Sequence, residues 1–80
     1  MSQRNRDINL QLCDRNLRGY QLHNYIKDNY RHFNNVNIAT AIHRSAKQGD
    51  HRLIRSNSNF YIDLYYDGRN FNSQHLANMA

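Results

Sequence analysis

Eighty residues bound this chain to at most one small domain, and a domain of about 60 residues already buries only about 60% of the surface its unfolded chain exposes. Hydrophobic residues make up 39%, with six Tyr and no Trp, so the core is thin and must find partners for phenol hydroxyls. Lys and Arg number 11 against 6 Asp, with no Glu at all, for a formal charge of +5; that balance points to a polyanionic partner and argues against carboxylate-pair catalysis.

Residues 1–4 are polar. Beyond them Ile8 and Leu12 stand four apart, as a short helix requires, while Ile8, Leu10 and Leu12 alternate, as a strand requires. The stretch from Asp14 to Gly19 reads as a turn. From Tyr20 to His32 the spacing predicts a helix with Leu22, Tyr25, Ile26, Tyr30 and Phe33 on one stripe. Asn34 and Asn35 supply a break and a cap for a second helix, Asn35 to Gln48. Its inner stripe is expected at Ala39, Ile42 and Ala46, with Val36 and Ile38 on the shoulders and Gly49 as the C-cap. His51 to Arg55 suits one further turn of helix, followed by a polar connector over 56–59.

The next stretch carries two opposed signals. Phe60, Ile62, Leu64 and Tyr66 alternate and Asp67-Gly68 is a turn dipeptide, so local chemistry favours a β-hairpin. A repeat register favours a helix instead: Phe60 and Leu64 fall 38 positions after Leu22 and Ile26. The register is followed, with a small α+β domain carrying a hairpin around 59–72 as the alternative. A last helix is expected from Ser73 onward.

The register comes from a segment that recurs. Phe33-Asn34 opens FNNVNIATAIHRSAK and, 38 positions later, Phe71-Asn72 opens FNSQHLANMA. A fixed period of that size marks helical hairpins that bury their apolar faces against one another. The expected fold is therefore all-α, a fragment of an α-solenoid with about five helices. It forms a single module over 1–80, with units of about 20–57 and 58–80, the second cut short.

Phe33, Asn34, Asn37, Ala39, Ala41, His43, Arg44 and Ala46 in the first copy resemble the helical repeats of organellar RNA-binding proteins of the octotricopeptide class. So do Phe71, Asn72, Gln74, Leu76, Ala77, Asn78, Met79 and Ala80 in the second. Both copies are also similar to the helical regions of RAP-domain and FAST-kinase-like proteins, and residues 8–26 more loosely resemble the first hairpin of a pentatricopeptide-type unit. The resemblance implies RNA binding in a mitochondrion or chloroplast, in RNA processing, stability or translation. It also implies that such a chain can serve as a structural subunit of an organellar ribonucleoprotein.

The basic residues are the candidate RNA contacts. Ten of the eleven Lys and Arg lie within residues 1–56. Arg44, Lys47 and His51 are spaced for one helix face, and Arg52 and Arg55 extend it past Gly49. Arg15, Arg18, Lys27 and Arg31 are candidates for a second ridge on the preceding hairpin. In a helical array such faces align into a groove for a phosphate backbone, where the guanidinium fork pairs bidentately. The plain reading of any one of them is a solvated surface charge. Tyr25 and Tyr30 lie on the apolar stripe, while Tyr65 and Tyr66 are adjacent, so one of them should be available to a partner.

Other chemistry finds no foothold. The five His show no H-x-x-x-H pair and Cys13 stands alone, so neither a zinc site nor an internal disulfide is expected, and a reducing compartment fits. His43 reads as a packed or capping residue. No Gly-rich phosphate loop or nucleophile motif occurs, and no cofactor, small-molecule substrate or enzymatic activity is expected. No apolar run reaches the about 18 residues of a membrane span, and the N-terminus lacks the apolar region of a secretory signal. Thirteen Asn and no Pro stand out, and the sequence alone assigns the asparagines no common task. The function expected is an RNA-binding helical-repeat module; the alternative is a non-catalytic subunit docking on protein in a large organellar assembly, ribosomal, respiratory or photosynthetic.

Overall fold

The computed structural model describes residues 2–79, with side chains described over 2–68. The described residues form five α-helices: α1 (Gln3–Leu12), α2 (Gly19–Asn29), α3 (Asn35–Gln48), α4 (His51–Ser56) and α5 (Ser58–Met79), with a 310 turn, Tyr30–His32, after α2. No β-strand occurs among them, and the expected all-α class holds.

Local chemistry explains most boundaries. Ser2 Oγ accepts from Asn5 N and starts α1. Asn34 and Asn37 form a reciprocal capping box at the head of α3. Asp50 accepts from the backbone N–H groups of Arg52 and Leu53 and starts α4. In α1 the helical spacing wins: Ile8 and Leu12 are buried while Leu10 is 73% exposed. A strand would have put all three on one face.

Helix α3 is the hub, touched by α1, α2 and α5. Asn5 contacts Asn37 and Leu12 contacts Arg44, so α1 and α3 run parallel. Helix α2 runs back along α3, with an isolated bridge joining Gly19 at its start to Gly49 at the end of α3. Helix α5 also runs antiparallel to α3, with Gly68 against Ile38. Between them lies the core of Ile8, Leu12, Leu22, Ile26, Ile38, Ala41 and Leu64, with Tyr25, Tyr30, Phe33 and Phe60 packed at its margin. Each fully buried Leu or Ile is worth about 1.5–3 kcal/mol, so the core is real but small.

Two glycines have a definite task, and one of them explains a misleading signal. Among the described residues Gly19 alone has a positive φ, 61°, which a Cβ would strain at the entry to α2. Gly68, half of the Asp-Gly turn dipeptide, lies inside α5. A Cβ there would sit 2.8 Å from Ile38 Cγ2, so this glycine serves close helix approach and not a hairpin.

The face of α3 differs from expectation. Its buried residues are Asn37, Ile38, Ala41 and Ser45, whereas Ala39 and Ala46 are exposed and Ile42 is half-buried. The helix is rotated because Asn37 is drawn inward. Its side-chain oxygen accepts from Asn5 Nδ2 at 2.7 Å and its amide donates to the Asn5 carbonyl at 3.0 Å. Asparagines have a task after all: Asn5, Asn34 and Asn37 join α1 to the head of α3, and Asn29 and Asn57 donate to the carbonyls of Tyr25 and Leu53 four residues before them.

The repeat meets the structure in part. Leu22 and Ile26 in α2 and Leu64 in α5 are all core, and Phe60 packs against it. The first copy opens on the turn before α3, where Asn34 caps, whereas positions 71–79 of the second fall within α5, so no separate helix begins at Ser73. The side chains of the second copy lie outside the described residues.

Candidate nucleic-acid interface

Arg44 is not on an open ridge. Half-buried, it donates from Nε to the carbonyl of Leu12 at 2.9 Å and from Nη2 to those of Asp14 at 2.9 Å and Leu17 at 3.1 Å. It closes the C-terminal end of α1 and pins the 13–18 loop onto α3. Carbonyls at a helix end lack intrahelical donors and carry partial negative charge, which makes a cation there doubly favourable. Arg44, expected on an exposed phosphate-facing ridge, is instead half-buried and engaged by three backbone carbonyls, which gives it a structural role. Its three acceptors lie 27–32 positions earlier in the chain, out of reach of any local pattern.

That clamp and the Gly19–Gly49 bridge bring the loop bearing Arg15 and Arg18 alongside the end of α3 and the start of α4. Arg15, Arg18, Lys47, His51, Arg52 and Arg55 are all exposed. The expected continuous face through residue 51 is interrupted by the turn at Gly49 and Asp50, but the separate pieces meet at one end of the molecule. Lys27 and Arg31 are not part of that end. Lys27 Nζ lies 4.8 Å from the Phe60 ring centroid, and the Arg31 guanidinium carbon is 5.9 Å from that of Tyr30. Both remain exposed but lean on aromatic faces.

A second feature escaped the sequence pattern. An apolar trough of about 470 Å3 opens between α3, α4 and α5, lined by Ile42, Ala46, Ile54, Ile62, Tyr65 and Tyr66. It adjoins another hollow of about 430 Å3 that shares Ile42, Ala46 and Tyr65 and reaches Ala39 and Gly68. Tyr65 and Tyr66 are both largely exposed, edge to face with centroids 5.8 Å apart, where only one was expected outside the core. His43, expected to pack or cap, is exposed at the trough edge. The signal was present as the Ala39, Ile42, Ala46 stripe; it was assigned to the wrong side.

Beneath the trough, buried His23 Nδ1 and the Tyr61 hydroxyl are 2.7 Å apart. This is the buried phenol that the composition required to have a partner. Burial pushes the Tyr61 hydroxyl above its ordinary pKa. Ser45 lies against it and pulls the other way, yet Ser45 Oγ makes no well-formed hydrogen bond among the described residues. That approach is a contact and not a bond, because its geometry falls short of one.

Burial also holds the His23 imidazole below its usual pKa, helped by the Lys27 charge and opposed by Asp50. The unfolded chain therefore takes up the proton first. This contribution to stability is complete above the ordinary histidine value of about 6.5 and is lost as pH falls from there towards the depressed folded value. Urea midpoints at about pH 7.5 and about pH 5 should show the loss, and His23→Gln should reduce the difference. An unchanged pH dependence in that variant would remove His23 as its source.

Among the described residues no helix is long and apolar enough to cross a membrane, and no group of three or more His, Cys, Asp or Glu is placed to hold a metal ion. Fold and surface together define a small all-α module with a basic end and an apolar trough. No family model, curated protein or solved structure matches the chain.

Proposed function

We propose that this chain is a non-catalytic helical module that binds single-stranded RNA through the cations gathered at one end. The observation that carries the reading is the Gly19–Gly49 bridge with the Arg44 clamp, which sets the loop bearing exposed Arg15 and Arg18 beside the α3–α4 turn, itself flanked by exposed Lys47, Arg52 and Arg55. Several cations on one patch neutralise successive phosphates and release counterions, which gives affinity without sequence reading. The resemblance of 33–47 and 71–80 to organellar RNA-binding repeats supports the same role, in a mitochondrial or chloroplast ribonucleoprotein concerned with RNA processing or translation.

Arg18→Glu with Arg52→Glu tests this on surface positions that spare the fold. Affinity for a single-stranded oligoribonucleotide at low salt should fall at least about tenfold. The slope of log K against log salt should flatten by about 1.4, at about 0.7 for each phosphate no longer neutralised. Absence of binding by the unaltered chain at low salt, or an unchanged slope in the variant, refutes the proposal. The exposed trough favours a second role beside the first, that of a subunit docking on protein.

A further inference from the structure

We propose that the trough between α3 and α5 docks an amphipathic helix of a protein partner, one whose short apolar stripe is flanked by carboxylates. The inference rests on the protein-docking reading; it shares Lys47 and Arg55 with the basic end, whereas Ala46 and Ile62 belong to the trough alone.

Shape sets the first requirement. The two hollows share Ile42, Ala46 and Tyr65, so the depression continues along α3 from Ala39 to Ala46. That stretch of helix spans about 10 Å, two turns, which matches apolar side chains presented at i, i+3 or i+4, and i+7. Small, exposed residues at Ala39 and Ala46 leave room for close backbone approach. Ile62, Tyr65 and Tyr66 are 50%, 48% and 54% exposed and form the far wall, and tyrosines of this kind commonly anchor interfaces. The hydrogen bond between Tyr61 and buried His23 fixes the floor, so little ordering is left to the docking step.

Charge sets the second. Among the described residues no Asp lines either hollow. His43 and His51 stand at the edge, Lys47 lies one helical turn from His43, and Arg55 one turn from His51. Asp63 and Asp67 lie in a different hollow on α5, beside Tyr30, Phe60 and Leu64. Asp50, next to His51, is the one carboxylate among the described residues whose charge reaches the trough, at Tyr61, so with Lys47 and Arg55 the surround is cationic on balance and selects the opposite sign in its occupant. A second copy docked face to face would set these cationic rims against each other, because a twofold contact pairs a patch with itself. The favoured occupant is therefore a different, acidic chain.

The probe is a synthetic amphipathic peptide of about four turns with leucines on one stripe and Glu on both flanks, and a control peptide replaces every Glu by Lys. By fluorescence anisotropy the Glu peptide should bind at least about tenfold tighter than the control. Ala46→Glu, at an exposed position, should weaken it at least about tenfold, and Ile62→Glu provides a second variant should the first disturb the fold by circular dichroism. Lys47→Glu with Arg55→Glu should invert the preference between peptides. Equal binding of both peptides, or indifference to Ala46→Glu and Ile62→Glu, overturns the proposal. Self-association in sedimentation that Ala46→Glu abolishes would overturn it in favour of a second copy. RNA binding lost in Ala46→Glu but kept in the Arg18→Glu, Arg52→Glu variant would overturn it in favour of RNA.

Discussion

Asn37→Ala should cost about 3 kcal/mol and lower the melting temperature on the order of 15 °C. Asn37 is fully buried. Its side chain accepts from Asn5 Nδ2 and from the Asn34 backbone N–H, and it donates to the Asn5 carbonyl. A typical hydrogen bond contributes about 1 kcal/mol, and stranding a buried partner adds about 1–3 kcal/mol. A chain of this size has a total stability of about 4–12 kcal/mol, so the loss is a large fraction. Asn37→Leu should fare no better, since the Asn5 amide would face hydrocarbon. The double variant Asn5→Ala, Asn37→Ala should lose less than the sum of the singles, because each removes the partner the other leaves unpaired. Urea unfolding gives these values. A loss below about 1 kcal/mol, or strict additivity, would mean that solvent satisfies these groups and that α1 is held by its apolar contacts alone.

Arg44→Met should cost about 2–3 kcal/mol while leaving RNA affinity of the folded chain within about twofold. Methionine keeps an apolar stem but removes donation to three carbonyls; a hydrogen bond from a charged group is worth about 1.5–3 kcal/mol net, and the half-buried site lets water reach some of the freed carbonyls. Arg44→Lys should recover only part of the loss. An ammonium is a compact point donor, whereas the planar guanidinium reaches Leu12 through Nε while Nη2 serves Asp14 and Leu17. Amide hydrogen exchange over 13–18 should quicken in both variants, since that loop loses its tie to α3. The contrary result is equally informative. Unchanged stability with a loss of RNA affinity would return Arg44 to the phosphate-binding set. The same logic governs charge reversal in this region: the exposed Arg18 and Arg52 test the proposed RNA binding, whereas Arg44 reports first on folding.

The basic end and the trough illustrate different limits of sequence reading. The cations were legible as residue types, because unpaired Arg and Lys on short polar segments are solvated almost regardless of fold. Their grouping was not, since it depends on a bridge between Gly19 and Gly49 that closes 30 residues of chain. The trough was legible as a stripe on α3 but not as a surface, because apolar residues on an alanine-bearing helix satisfy a core face and a docking face equally well.

What the residues determined by themselves is α2, α3, α4 and much of the core. Asn34 and Asp50 begin α3 and α4 through bonds to backbone groups within three residues, and Leu22 and Ile26 bury because their spacing leaves them one apolar face. Such effects are local and need no partner. Only the tertiary structure decided which face of α3 turns inward, that α5 runs unbroken through Gly68 with no new start at Ser73, and that Arg44 faces the protein. Each depends on a group supplied from more than 20 positions away: the Asn5 amide, the Ile38 side chain against Gly68, and the carbonyls of the 13–18 loop. A polar residue goes inside only where its hydrogen bonds are met, and which distant atoms meet them is a property of the packed chain.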